Sequence, residues 1–284
     1  MIEYKSLTLL DYNDLFTAFS AAFADYEITP DRDELQKMLY RRGFDASLSF
    51  GAFDNGKLVS FTCNGIGIFN GIATAYDTGT GTLKDYRGQG LASKVFNESI
   101  PYLQKAAIKQ YLLEVLQHNE PAVSVYRKMG FKVSREFNYF ISESSKLKLK
   151  LKKLPADCYL KQINPKQVGD TSLFWDYTPS WQNSFEAIFR KPDDFLITAA
   201  FINDQMTGYG ILEPSSGDIT QLAVHPLHRW KGIGTAILEA LLNNNRHSGV
   251  KAINTEISSE ASTRFFETSG LLLKGKQFEM IKEL

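Results

Sequence analysis

The chain has 284 residues, 43% hydrophobic and 23% charged, with 32 Lys+Arg against 32 Asp+Glu. At roughly 150 residues per domain this length allows two domains, and the apolar fraction excludes a disordered or collagen-like chain. Zero net charge argues against a polyanion binder that works by bulk attraction, so nucleic acid is not an expected partner.

Two cysteines, Cys63 and Cys158, lie 95 residues apart. They build neither a disulfide framework nor a zinc spacing, so a reducing compartment is expected. Met1 to Thr8 has no apolar signal-peptide core, and a cytoplasmic location follows as the expectation.

Taken in order, Ile2 to Leu7 reads as a strand and is followed by a helical region. Phe50 to Phe53, the turn Asp54-Asn55-Gly56-Lys57 and Leu58 to Thr62 read as a hairpin. Leu58 to Tyr76 carries no charge over 19 residues, but Asn64, Gly65, Gly67, Asn70 and Gly71 suit buried strands rather than a bilayer helix. Tyr86-Arg87-Gly88-Gln89-Gly90-Leu91-Ala92 then opens a helical pattern at Leu91, Val95, Phe96 and Ile100. Tyr111 to Leu116 is rich in strand formers, and a short helix ends at Gly130-Phe131.

The second half repeats these landmarks. Tyr159 to Ile163 opens it, and Phe195 to Ile202, Asn203-Asp204 and Met206 to Leu212 form the second hairpin. His228-Arg229-Trp230-Lys231-Gly232-Ile233-Gly234 precedes a helix with Ile237, Leu238, Leu241 and Leu242, and Arg229 stands 142 residues after Arg87. Ala252 to Ile257 and a helix ending at Gly270-Leu271 complete the repeat. The expectation is two α/β domains of one fold: residues 1–145, a linker 146–157, and 158–284. Lys146 to Lys153 alternates lysine and leucine, which reads as a strand with a solvated lysine face.

A strand that ends in a glycine turn and opens a helix makes an anion site. Backbone N–H groups converge there, and the helix N-terminus adds partial positive charge. Gly88, Gly90 and Gly232 keep side chains out of the way, Ala92 and Gly234 let the helix begin close to a ligand, and Arg87 and Arg229 stand where charge-assisted bonds can be added. No ATP P-loop is present, and Gly79-Thr80-Gly81 and Gly88-Gln89-Gly90 lack the third glycine of a dinucleotide fingerprint.

These residues resemble the GNAT superfamily of acyl-CoA-dependent N-acyltransferases. Arg87 to Ala92 and Arg229 to Gly234 both fit its [QR]-x-x-G-x-[GA] loop, and Asn119 to Phe131 fits N-x-x-A-x-x-x-Y-x-x-x-G-F. The resemblance implies a mixed α/β sheet in each of two tandem domains, with acetyl-CoA as co-substrate and no metal. It also implies direct attack of a primary amine on the thioester. It places the co-substrate against Thr80, Gly81, Thr82, Arg87, Gly88, Gln89, Gly90, Leu91, Ala92 and Asn119. In the second half it places Leu222, Val224, Arg229, Gly232 and Gly234 similarly. Backbone donors at Thr80 to Thr82 would face the developing oxyanion.

On the same resemblance Tyr126 is the acid for the leaving thiolate, since a phenol with an ordinary pKa near 10 suits a thiolate of roughly 8 to 9. Asp77 is the first candidate for the base that deprotonates the amine, ahead of Glu114, and Asp218 holds a comparable place in the second half. There, Ser259 stands for Asn119 and Phe266 for Tyr126, so catalysis is expected in the first half. His118 reads as a loop residue, and Trp175 and Trp181 as core. Phe23 to Glu34 is a candidate acceptor wall. The acceptor is a small-molecule or peptide amine, no membrane is involved, and the state is monomer or dimer. The alternatives are a non-catalytic acyl-CoA-binding or scaffolding protein, or a transferase of another acyl group.

Overall fold

The computed structural model describes residues 1–25 and 30–284. In chain order the elements are β1 (Ile2–Ser6), α1 (Tyr12–Ala22), α2 (Arg32–Arg42), β2 (Phe50–Asp54), β3 (Lys57–Phe69), β4 (Ile72–Thr82), α3 (Leu91–Lys105), β5 (Gln110–Leu116), α4 (Glu120–Lys128) and β6 (Lys132–Glu143). There follow β7 (Cys158–Ile163), α5 (Phe185–Arg190), β8 (Leu196–Ile202), β9 (Gln205–Glu213), β10 (Asp218–Val224), α6 (Ile233–Leu242), β11 (Gly249–Glu256), α7 (Glu260–Thr268) and β12 (Leu273–Glu283).

The chain divides into two compact units. The first comprises Met1–Val115, Asn119–Ser134 and Glu279–Leu284, and the second Leu116–His118 and Arg135–Phe278. The units are interleaved in sequence, because a strand joins whichever sheet edge its backbone groups can satisfy. A cut at residue 145 would separate unit 1 from the tail of β12 and unit 2 from most of β6. Leu284 N–H donates to the Lys109 carbonyl and Ser134 Oγ to Glu279 within unit 1.

Unit 1 carries β1 to β5 side by side and then the tail of β12. Asn55-Gly56 and Asn70-Gly71 all have positive φ, which matches the strand twist in tight hairpins. The uncharged span from Leu58 therefore runs up β3 and back along β4, and among the described residues no helix is long and apolar enough to cross a membrane. Leu15, Phe19, Leu35 and Leu39 of α1 and α2 bury against Phe61 and Cys63, while Leu91 and Val95 of α3 pack with Phe50, Ala52 and Val59. Asp31 caps α2 in a reciprocal box with Glu34.

Unit 2 orders the first part of β12, β6, β11, β10, β9, β8 and β7. Alternation along β8 sends Ala200 toward Ile237 and Leu241 of α6, and Ile197 and Ala199 into a second cluster with Phe174, Ile188 and Tyr209. Residues 147–155 form no strand. Their alternation persists in irregular chain: Leu147, Leu149 and Leu154 pack on the unit 2 core, while the lysines are exposed. The expected lysine–leucine strand is thus a strap without a ladder partner.

Candidate functional site

In unit 1 the site begins where β4 leaves β5. Their parallel pairing ends at Tyr76 and Leu112, although β4 continues to Thr82. A bulge at Thr78 interrupts the pairing of β4 with β3, between Asn64–Asp77 and Cys63–Gly79. Such a bulge re-aims neighbouring side chains, and here it folds Asp77 back onto its own strand. Asp77 Oδ1 accepts from Gly79 N–H at 2.9 Å, and Oδ2 accepts from Thr80 Oγ1 at 2.9 Å.

From α4, Tyr126 donates its phenol to the same Asp77 Oδ2 at 3.3 Å. The helix is held at its start by Asn119, whose side chain accepts from Ala122 N–H. Tyr126 packs edge-on against Phe131, so the family-like spacing of Asn119, Tyr126 and Phe131 is a cap, a hydrogen-bond donor and its packing partner. Burial raises the Asp77 carboxyl from its ordinary 3.8 to about 6, against the hydrogen bonds from Thr80, Gly79 and Tyr126 and the charge of Arg42. A carboxylate poised there can exchange protons near neutrality.

Three neighbours complete this polar floor. Arg42 donates to the Thr78 carbonyl at 3.2 Å, Tyr111 donates to Asn64, and Tyr76 donates to Glu114 at 3.2 Å. Burial pushes the Tyr76 and Tyr111 phenols and the Cys63 thiol up, so all three stay neutral. Glu114 is therefore a partner of Tyr76, one strand away from Asp77. Arg42 and Asn64 were not legible as site residues, since each is brought in by long-range pairing.

The glycine turn follows directly. Gly88 and Gly90 have φ of 77° and 74°, and a Cβ on either would meet nothing within 4 Å. Gly90 caps α3 without a side-chain hydrogen bond, which leaves the first helical N–H groups for an external acceptor. These features fit the pyrophosphate expected there. Arg87 is committed elsewhere: its guanidinium donates to the Thr82 and Ala22 carbonyls and to Asp25 at 2.9 Å. Gln89 reaches back to the Asp85 carbonyl, and Thr82 pairs with Ser60. Gly81 is explained by packing, because a Cβ there would strike Phe61 and Ala22.

Unit 2 repeats the frame with different chemistry. The bulge falls at Thr220, which stands 142 residues after Thr78. Ile219, 2% exposed, thus takes the place of Asp77. Asp218 matches Tyr76 instead, as the residue at which β10 pairs with β11, and this corrects the comparison of Asp218 with Asp77. Phe266 replaces Tyr126 and is buried against Phe140. Ser259 takes over the cap from Asn119. Trp230 stands where Gly88 does and keeps φ at 65°, with its side chain 83% exposed.

Arg229 repeats the role of Arg87, donating to the Val224 and Phe174 carbonyls and to Asp176 at 2.7 Å. Leu222, Val224, Arg229, Gly232 and Gly234 line a cavity of about 490 Å³. Trp175 also lines it and donates to Tyr209, whereas Trp181 is core at 1% exposure. Of the Phe23 to Glu34 run, residues 26–29 lie outside the described residues. Among the described residues no group of three or more His, Cys, Asp or Glu is placed to hold a metal.

The model of the acetyltransferase (GNAT) family matches this sequence at residues 12–131 and again at 157–271. The chain belongs to the GNAT acetyltransferase family. Its two matched segments make it a tandem member, as the two glycine loops imply, and the expected mixed α/β fold is the fold found. A tandem GNAT protein from the clavulanic acid biosynthesis pathway superposes with a TM-score of 0.74 at 13% identity, covering 100% of this chain and 98% of that one. A GCN5-related N-acetyltransferase from Sphaerobacter thermophilus gives 0.72 at 14%, covering 99% and 95%.

Among sequence relatives, N-alpha-acetyltransferase 30 of Schizosaccharomyces pombe (strain 972 / ATCC 24843) is 28% identical over 96 residues, 33% of this chain and 64% of the relative. N-alpha-acetyltransferase MAK3 of Arabidopsis thaliana is 28% identical over 105 residues, 37% and 55%. The chain spans less than two thirds of the length of these relatives.

Proposed function

We propose that unit 1 transfers an acetyl group from acetyl-CoA to a primary amine, with Asp77 and Tyr126 moving the protons. The observation that carries this reading is the 3.3 Å hydrogen bond from Tyr126 to a carboxyl raised to about 6. The first N–H groups of α3, with Gly88 and Gly90, would hold the pyrophosphate, and the co-substrate supplies the acetyl thioester. Asp77 takes a proton from the amine as its nitrogen bonds to the carbonyl carbon. Tyr126 gives its phenolic proton to sulfur as the carbon–sulfur bond breaks. Asp77 then returns a proton to Tyr126 across their hydrogen bond, so the net movement is one proton from amine to thiol. Among the described residues the β5-facing edge of β4 beyond Asp77 has no strand partner, which supports Thr80 to Thr82 as oxyanion donors.

The N-alpha-acetyltransferase relatives favour a peptide α-amine as acceptor over a small molecule. An assay of thiol release from acetyl-CoA with a peptide panel tests both parts. Release with N-terminally free peptides and none with N-terminally blocked ones is the expected result. No release with any amine overturns the catalytic reading and leaves the scaffolding alternative.

A further inference from the structure

The end of α2 is sewn to β3 beside the β4 bulge. Gly43 caps the helix with φ of 81°, and its carbonyl accepts from Ile66 N–H at 2.8 Å. Asp45 N–H donates to the Asn64 carbonyl at 2.9 Å, and Phe44 bridges to Gly65. The approach is so close that a Cβ on Gly65 would lie 2.1 Å from the Arg42 carbonyl oxygen and 3.0 Å from Thr78. Asn64, in the middle of this seam, is the residue of β3 that pairs with Asp77. Backbone contacts thus carry Arg42 to the bulge, where its guanidinium donates to the Thr78 carbonyl at 3.2 Å.

The bulge also has a fastening that both units share. Thr78 Oγ1 donates to the Cys63 carbonyl at 3.1 Å, and Thr220 Oγ1 donates to the Ile211 carbonyl at 3.2 Å. That hydroxyl bond persists where Ile219 replaces Asp77, so it is independent of the carboxyl. What Arg42 adds in unit 1 is charge, on a half-buried side chain that solvent screens less than a surface one. The groups around Asp77 make that charge count. Gly79 and Thr80 donate to it from its own strand and Tyr126 from α4. Tyr111 of β5, Cys63 of β3 and Tyr76 of β4 also stand in its field, and burial keeps all three neutral. Glu114 of β5 accepts from Tyr76. Burial raises the Asp77 carboxyl, and Arg42 supplies the positive charge that opposes burial.

We propose that Arg42 is a positioning residue of the unit 1 site: its guanidinium holds the carbonyl at the bulge, and its charge favours the ionised Asp77 that takes the proton of the amine. The inference rests on the reading of Asp77 as the base. It gives the end of α2 a part in the acid–base chemistry, beyond its packing on the core.

The test pairs thiol release from acetyl-CoA with NMR of the full chain carrying isotope-labelled aspartate carboxyls. The Asp77 signal is the one lost in Asp77→Asn. Arg42→Gln and Arg42→Met each remove the charge, and Arg42→Lys keeps it; melting curves establish which variants fold, and either neutral variant suffices. In the neutral variants the Asp77 midpoint and the acid limb of kcat/KM should both move up by about half a pH unit. The plateau of kcat/KM above that limb should fall about tenfold as the bulge loosens. Arg42→Lys should return both midpoints to those of the parent. A cation that merely complements the helix end would lower the melting temperature and move neither midpoint, and that result would overturn the proposal. No thiol release from the parent with any amine would overturn the catalytic reading instead, while the NMR midpoint would still decide whether Arg42 governs Asp77.

Discussion

At the bulge of β4 stands Asp77, and at the bulge of β10 stands Ile219. On the helices that follow β5 and β11 stand Tyr126 and Phe266. The backbone frame is the same in both units: splayed parallel strands, a bulge at a threonine, an arginine clamp and a glycine-capped helix. Two side chains separate a tyrosine–carboxyl hydrogen bond from a hydrocarbon contact. The frame is held by interactions indifferent to that exchange, since Arg87 and Arg229 each bind two carbonyls and an aspartate. A repeated fold therefore does not imply repeated chemistry.

The largest effect should come from Tyr126→Phe. Loss of a positioned acid lowers kcat about 10²- to 10⁴-fold, measured as thiol release, whereas Phe266→Tyr should leave kcat where it was. Equal losses in the two variants would erase the division of labour between the units.

Asp77→Asn should lower kcat about 100-fold and remove a pH inflection. In the proposed role Asp77 acts when ionised, so the parent kcat/KM should fall as pH drops through about 6. The sign for stability is opposite. A carboxyl raised from 3.8 to about 6 on folding favours the folded state once protonated. That contribution is complete below 3.8 and lost as pH rises through 6. Asp77→Asn should therefore melt higher than the parent at pH 7.5 while turning over more slowly.

Conversely, Ile219→Asp places a carboxylate in the unit 2 core, where no counterpart of Tyr126 meets it. About 2–4 kcal/mol of stability should be lost by denaturant titration, with no gain of activity. A smaller change is expected at Trp230. Its φ of 65° is strained for a residue with a Cβ, and Trp230→Gly should relieve about 1 kcal/mol of that strain. A lower melting temperature for this variant would mean that the indole makes contacts worth more than the strain.

Features that depend on neighbours in sequence were legible from the chain. The Asn-Gly turns, the two glycine loops and the cap–tyrosine–phenylalanine spacing of α4 all lie within a few residues. The 142-residue offset between Arg87 and Arg229 already set Ile219 opposite Asp77. Asp218 is a carboxylate one position from the match, and in a strand one position reverses the face. Arg87 looked free for a phosphate because its partners, Ala22 and Asp25, come from α1 and the residues just after it. The lysine–leucine alternation gave the right faces and the wrong element, since a strand needs a ladder partner that periodicity cannot supply.

The tail of β12 has a consequence for biosynthesis. Residues 279–284 belong to unit 1, although nearly all of that unit is translated before residue 135. On the ribosome its sheet must wait, one strand short, while the whole of unit 2 is made. A domain synthesised first is thus completed last, and its open edge is a place where a nascent chain would need protection from other strands.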